Sequence, residues 1–425
     1  MTEPQPTPPA APDEAEPKLE RFRRRRSGVR GHGGGVARGR LEALLDPESL
    51  VELDLFASEA VVAGWGAVDG RDVVVYALEP GAAWGEAAGR KIAKAQALAL
   101  RSRVPIIGIE DVLRPAAEDD LAAAAARADV LARQARSSGL VPQLTVAAGG
   151  RHRAGPGAAG PPGVGLAALG DFLFVVAGAA DDRAADFPAA GEEACWTAVR
   201  DLLAHLPSSG DERPPARLAV EEPDPLDLVP RPGADMRAVA AGLLDGGRLL
   251  EARPGLAPNL LTGFGRLGGC PVGVVANQPA ALDGALDADA AAKAARFVRC
   301  CDAFNVPVVS LVDTPGLAPG AAEDAAAGLV AAYARARVPK LAVVVGRASG
   351  SDYWLMSPHE LGGDLCLAWP SARIGVAEPY AAAERGAVDR VVEPRETRRE
   401  LIHGLRLCLH RPIEPAGRGG GTTPR

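Results

Sequence analysis

Apolar positions along this chain fall into two alternating kinds of pattern. Short apolar runs read as strands: Val61–Val68, Val73–Leu78, Ile106–Ile109, Gln143–Ala148 and Phe172–Val176 in the first half, Val308–Val312 and Leu341–Val345 in the second. Between them lie stretches with helical spacing. From Glu86 to Arg101 the positions Ile92, Ala95, Leu98 and Ala99 form one stripe, with Lys91 and Lys94 off it. From Ala288 to Phe304 the stripe is Ala294, Phe297, Val298 and Cys301, and Lys293, Arg296 and Arg299 lie toward the other face. Helices are also predicted over Glu118–Ser137, Glu192–Leu206 and Ala321–Arg337. Strands alternating with helices predict a layered α/β fold.

The pattern occurs twice. Gly64–Ala77 reads GWGAVDGRDVVVYA, and Gly263–Ala276 reads GFGRLGGCPVGVVA. SRVPIIGIED, from Ser102, answers FNVPVVSLVD, from Phe304. VPQLTVAAGG, from Val141, answers VPKLAVVVGR, from Val338. The offsets are 263 − 64 = 199, 307 − 105 = 202 and 339 − 142 = 197. Three landmarks in one order at one spacing predict two copies of one domain, with a site at the seam between them. The polar, Pro-rich stretch Ser208–Pro232 marks the boundary. Five segments are expected: a disordered tail over 1–38, a first domain over 39–207, a linker over 208–232, a second domain over 233–412 and a disordered tail over 413–425.

Composition narrows the picture. Aromatic residues make up only 4% of the chain, so Ala, Val and Leu must build the cores. A net charge of −7 gives no global field favouring nucleic acid. The local basic run Arg21–Gly35 sits among Pro and Glu and reads as a solvated tail. The six cysteines contain no C-x-x-C pair, so no metal site is expected and they read as small buried hydrophobes. With no signal peptide or long apolar span, the expected location is cytoplasmic, with no membrane partner.

Short strands, repeated Gly turns and an apolar strand entering a small-residue loop give each half a crotonase-like look. That architecture works through paired backbone N–H groups near a helix N-terminus, which hold an enolate oxygen.

The chain resembles the carboxyltransferase (beta) subunits of biotin-dependent acyl-CoA carboxylases, of the propionyl-CoA and acetyl-CoA carboxylase type. The resemblance is carried by NLLTGFGRLGGCPVGVVANQP from Asn259, KAARFVRCCDAFNVPVVSLVDTPGLAPG from Lys293, LAWPSARIGV from Leu367 and VDRVVEPRETR from Val388. LLDPESLVELD and GEAAGRKIAKAQALAL carry it in the first half. It implies two tandem crotonase-like domains, the first for acyl-CoA and the second for carboxybiotin. It also implies partners: a separate biotin carboxylase and biotin carrier, since no Met is followed by Lys as a biotin acceptor requires, and further copies of this chain in a homo-oligomer.

The resemblance also assigns residues. The first oxyanion turn matches Gly155 to Gly160, with Ala159 and Gly160 as donors; the next residue is Pro161, which has no N–H. The second turn spans Arg347 to Tyr353, with Gly350, Ser351 and Asp352 at its centre. Asp352 would oppose an oxyanion unless its side chain caps the helix or points away. Two readings therefore stay open: an active carboxyltransferase, and a weakened relative that binds acyl-CoA or a carboxylase partner. A hydratase or isomerase is disfavoured, since one half would suffice. Arg90, Lys91 and Lys94 present positive charge beside a Gly turn and are candidates for CoA phosphates, or else line a solvated helix face. His152 and His359 are more simply surface residues than acids or bases. Lys293 and Arg296 match the family's K-x-x-R-F and are expected to be ion-pair partners inside the repeat. The family's long helical insertion between Val376 and Val388 is reduced here to a short link.

Overall fold

Side chains alternate across each strand, and that alternation sorts the chain into layers. The computed structural model describes residues 17–23, 35–57, 60–82, 84–111, 120–149, 166–178, 185–218, 235–320, 323–349, 353–356 and 359–413. The first half runs α1 (Val36–Leu44), β1 (Val51–Glu52), β2 (Val61–Val68), β3 (Arg71–Leu78), α2 (Glu86–Ser102), β4 (Ile106–Glu110), α3 (Leu121–Ser137) and β5 (Gln143–Ala147). It closes with α4 (Leu166–Leu169), β6 (Phe172–Val176), β7 (Phe187–Ala189) and α5 (Glu192–His205). The second half runs α6 (Met236–Leu243), β8 (Leu250–Ala252), β9 (Leu260–Leu267), β10 (Cys270–Asn277), α7 (Ala288–Ala303), β11 (Val308–Thr314), α8 (Glu323–Arg335) and β12 (Lys340–Ala348). It closes with β13 (Leu365–Ala368), β14 (Arg373–Ile374), α9 (Pro379–Glu384), β15 (Arg390–Val391) and α10 (Pro394–Cys408).

Each half folds around one sheet. In the first, β1 to β7 lie side by side in chain order. In the second the order is β8-β9-β10-β11-β12-β13-β15, with β14 pairing to β12. In both sheets an antiparallel start becomes parallel at the third strand. Parallel neighbours need crossovers, which the helices supply. The predicted duplication reaches individual hydrogen bonds. The β2–β3 turn places Asp69 and Gly70 at φ 49° and 74°, and the β9–β10 turn places Gly268 and Gly269 at 59° and 85°. Asp46 accepts from Asp69 N and Gly70 N at 2.9 and 2.8 Å; Asp245 accepts from Gly268 N and Gly269 N at 2.9 and 2.7 Å. Those two aspartates stand 245 − 46 = 199 residues apart, the repeat offset. Asp120 and Asp287 cap α3 and α7 by accepting from Ala123 N and Ala290 N, which starts α3 later than the sequence suggested.

Strand alternation also shows how the halves stack. On β3, Val74, Tyr76 and Leu78 pack under α2 and α3, while Val73, Val75 and Ala77 face a central core. On β11, Val309 and Leu311 belong to the core under α6 and α10, while Val308 and Val312 face the central one. That central core draws on α1 and α5 of the first half and α7 and α8 of the second. The halves are therefore stacked head to tail: equivalent helix layers do not meet.

The scarce aromatics gather at this seam. Six of the eight phenylalanines (Phe172, Phe174, Phe187, Phe264, Phe297 and Phe304) form one chain of ring contacts. Phe172 meets Phe264 at 5.8 Å and Phe304 at 6.2 Å, across the halves. The expected linker is part of the seam as far as it is described. Gly210 donates to Leu140 O at 2.9 Å, and Asn305 Nδ2 donates to Gly210 O and Glu212 O at 2.7 and 2.8 Å. Within the expected N-terminal tail, residues 17–23 are helical and Phe22 meets Phe56 edge-on at 6.4 Å.

Phe264 is fully buried at the centre of the seam. Phe264→Ala is expected to cost about 3–5 kcal/mol. Because both halves share this core, tryptophan fluorescence and circular dichroism should lose their signals together at a lowered melting temperature. Separate transitions for the two halves would contradict a shared core.

Candidate active site

Parallel α/β sheets bind ligands beyond the carboxyl ends of their strands. At that edge of each sheet the sequence places an aspartate with a shielded side chain against a glycine. In the first half Asp111 follows β4 and Gly149 follows β5; a Cβ on Gly149 would overlap the Asp111 carboxylate. In the second half Asp313 lies in β11 and Gly346 in β12, where a Cβ would sit 2.5 Å from the Asp313 carboxylate. The pairs keep the repeat offsets, 313 − 111 = 202 and 346 − 149 = 197. No side chain but hydrogen fits at either glycine without moving the carboxylate.

An arginine grips each aspartate. Arg40, on α1, donates from Nη1 to Asp111 Oδ2 at 2.5 Å, from Nε to Glu192 Oε1 at 2.8 Å and from Nη2 to Ala148 O at 3.3 Å. Burial alone would lower its pKa, but the hydrogen bonds to Asp111 and Glu192 outweigh it and raise it. Arg347 donates from Nε and from its backbone N–H to Asp313 Oδ1 at 3.2 and 2.9 Å. Its Nη1 and Nη2 reach the two carboxylate oxygens of Asp283 at 2.6 and 2.7 Å. The Asp283 bond is the main reason the Arg347 pKa is raised, and the same bond lowers that of Asp283. Asn277 completes the edge, donating to Gly284 O at 3.2 Å and accepting from Asp313 N at 3.3 Å.

The five residues assigned to the oxyanion turns, Ala159, Gly160, Gly350, Ser351 and Asp352, lie outside the described residues, as do Pro161 and His152. The chain enters those segments from Gly149 and from Ser349, whose N–H donates to Thr314 O at 3.1 Å. The three candidates for CoA phosphates are placed differently from one another. Lys91 is 2% exposed, its ammonium 3.4 Å from Glu52, so it belongs to the packing of α2 on β1. Lys94 is at the surface beside Asp54, and Arg90 is the most exposed, 3.5 Å from Glu86 one turn away. His359 is half-buried rather than a free surface residue, with Nε2 3.0 Å from Asp389 and Nδ1 3.1 Å from Gly363 O.

Lys293 and Arg296 correct two expectations. They do not lie on a polar face, because the stacking of the halves buries α7 on both sides. The partners described for them also differ from the expected ion pair. Lys293 donates to the carbonyls of Leu256 and Leu260 at 2.7 and 2.8 Å, and Arg296 reaches into the first half, to Asp171 O at 2.5 Å and Asp186 at 3.8 Å. Lys91 and Lys293 are repeat equivalents, 293 − 91 = 202, and both are buried. That equivalence was the available signal that Lys91 is structural. Five of the six cysteines are buried, as small hydrophobes are, and Cys270 is half-buried; burial pushes the Cys195 and Cys366 thiols up to about 12. Among the described residues no group of His, Cys, Asp or Glu is placed to hold a metal ion, and no helix is long and apolar enough to cross a membrane.

Comparison with known proteins bears on these edges. The carboxyl transferase domain family matches residues 29–182 and 181–379. The propionyl-CoA carboxylase beta chain of Saccharopolyspora erythraea is 34% identical, over 91% of this chain and 90% of its own. The biotin-dependent acetyl-/propionyl-coenzyme A carboxylase beta5 subunit of Mycobacterium tuberculosis is 31% identical, over 93% and 91%. Among solved structures, the transcarboxylase 12S hexamer core with hydrolysed methylmalonyl-coenzyme A bound superposes with a TM-score of 0.83 at 27% identity, covering 98% of this chain and 100% of that one.

Burial lowers the Lys293 pKa from 10.5 to about 8, partly offset by Glu251. The folded protein therefore sheds this proton at lower pH than the unfolded chain does, so the group adds stability as pH rises from about 8 to 10.5 and loses it as pH falls back. Relative to Lys293→Met, the wild type should gain up to about 3 kcal/mol across that window, read from urea midpoints. A difference independent of pH would contradict it.

Proposed function

We propose what each sheet edge binds from one premise: the chain belongs to the carboxyl transferase family. It moves a carboxyl group from carboxybiotin to the α-carbon of an acyl-CoA. Both ends of that transfer place negative charge on an oxygen, at the ureido carbonyl when the carboxyl group leaves and at the thioester carbonyl when the enolate forms. Backbone N–H groups aimed at those oxygens stabilise the charge without a strong side-chain acid. Two donor sites held at fixed separation make the transfer effectively intramolecular.

The first sheet takes acyl-CoA, with Ala159 and Gly160 as donors, and the second takes carboxybiotin, with Gly350, Ser351 and Asp352 at its turn. Arg90 and Lys94, at the surface of α2, meet the CoA phosphates; Lys91 remains with Glu52. Biotin arrives on a separate carrier subunit, charged by a separate biotin carboxylase. The enzyme is a cytoplasmic homo-oligomer. The observation that carries the two-site reading is the matched pair of edges, each presenting a glycine braced by an aspartate side chain where a site loop departs; the order of the two substrates follows the resemblance.

The test combines the full chain with a biotinylated carrier, its biotin carboxylase, ATP, labelled bicarbonate and either acetyl-CoA or propionyl-CoA. ATP-dependent label should appear in the acyl-CoA. No turnover with acyl-CoA binding retained would contradict the reading and favour a binding role. Arg90→Ala should raise the KM for acyl-CoA several-fold with kcat little changed.

A further inference from the structure

The turn after β10 holds three successive residues in left-handed backbone: Leu282 at φ 48°, Asp283 at 56° and Gly284 at 76°. Two of them carry a Cβ, for which that conformation is unfavourable, so the surroundings must impose it. Gly284 is also required by space, since a Cβ there would sit 2.5 Å from Asp313 O. Arg347 braces this turn, alongside Asn277, which donates to Gly284 O. The Arg347 guanidinium takes both oxygens of Asp283, and Nη2 also reaches Asp283 O at 3.2 Å. The same side chain and its backbone N–H hold Asp313. One residue thus ties the turn after β10, the end of β11 and the end of β12 together, at the start of the assigned oxyanion turn and three positions before Gly350.

The first half solves the same problem with a different arginine. Its Asp111 and Gly149 are the repeat equivalents of Asp313 and Gly346, but the position equivalent to Arg347 is Gly150, since 347 − 197 = 150. The grip there comes from Arg40, whose own equivalent in the second half is Val239, since 40 + 199 = 239. Simple inheritance from a duplicated ancestor would leave the arginines at matching positions. Finding them at different positions, on the same aspartate, points to the grip itself as what is needed.

We propose that Arg347 and Arg40 are positioning residues for carboxyl transfer. Each fixes the strand ends from which one oxyanion loop departs, Arg347 for the second sheet and Arg40 for the first. The assignment rests on the carboxyltransferase reading for its chemistry, while the clamp itself rests on the geometry. A lysine in place of either arginine keeps the charge and loses the planar fork that holds several acceptors at once.

The experiment uses full-length Arg347→Lys, Arg40→Lys and Asp283→Asn in the complete carrier system, with hydrogen exchange on the same proteins. Arg347→Lys should lower kcat at least tenfold with acyl-CoA Kd within twofold and the melting temperature nearly unchanged. Asp283→Asn should act in the same direction and more weakly. Arg40→Lys should instead weaken acyl-CoA binding. In Arg347→Lys, amides of residues 282–284 and 346–349 should exchange at least tenfold faster, while those of 341–345 keep their protection. Unchanged local exchange, faster exchange throughout, or kcat within twofold of wild type would overturn the proposal. If the wild type itself does not turn over, the carboxyltransferase reading falls, and the exchange data alone decide the clamp.

Discussion

The structure depends on covering one particular face. The first sheet's α1/α5 layer is apolar and cannot face water, and the layer that covers it is α7/α8 of the second half. This head-to-tail stacking makes two folded copies into one body. It concentrates six phenylalanines in a chain otherwise short of aromatics. It also makes the seam the place where charge is hardest to accommodate. Arg296 and Arg253 answer Asp171 and Asp186 across it, and Lys293 is held by two carbonyls. A buried arginine that reaches several acceptors tolerates such a place better than an ammonium does, and the depressed Lys293 pKa reflects that difference.

Stacking of this kind breaks the symmetry of the repeat without erasing it. Lys91 and Lys293 occupy equivalent helices, yet one helix is an outer layer and the other lies at the seam. The neighbouring equivalents Lys94 and Arg296, also 202 apart, divide in the same way: one is at the surface and the other deep between the halves. The same asymmetry gives two edges with one architecture and different surroundings, which suits two different substrates. The hairpin turns braced by Asp46 and Asp245 and the aspartate–glycine contacts stay alike in both halves. The arginines that grip those aspartates do not.

Much of this was legible in the sequence. The repeat predicted two sheets with matching strand order, and strands such as Val61–Val68 and Phe172–Val176 formed where the apolar runs place them. The family followed from long matching stretches in the second half. What the sequence concealed were contacts set by the relation between halves. The helical period of α7 puts Lys293 and Arg296 on the less apolar side, and nothing local says that a second domain covers that side. The stretch after Ser208 reads as a polar linker, but Ser209 is buried because both halves close on it. The site clamps were hidden for a related reason. Arg40 and Asp111 are 71 positions apart, and only the fold joins them. Their trace in the sequence is the repeated aspartate and glycine at matched offsets.

On the proposed reading, one chain holds two equivalent edges with divided roles, the first for acyl-CoA and the second for carboxybiotin. The most direct measurement is a hydrogen-exchange footprint of the full chain with acyl-CoA alone and with the biotinylated carrier alone. Acyl-CoA should protect amides in 148–169 and the start of α2, while the carrier should protect amides in 346–356 and leave the first edge unchanged. Protection of the same edge by both ligands would contradict it.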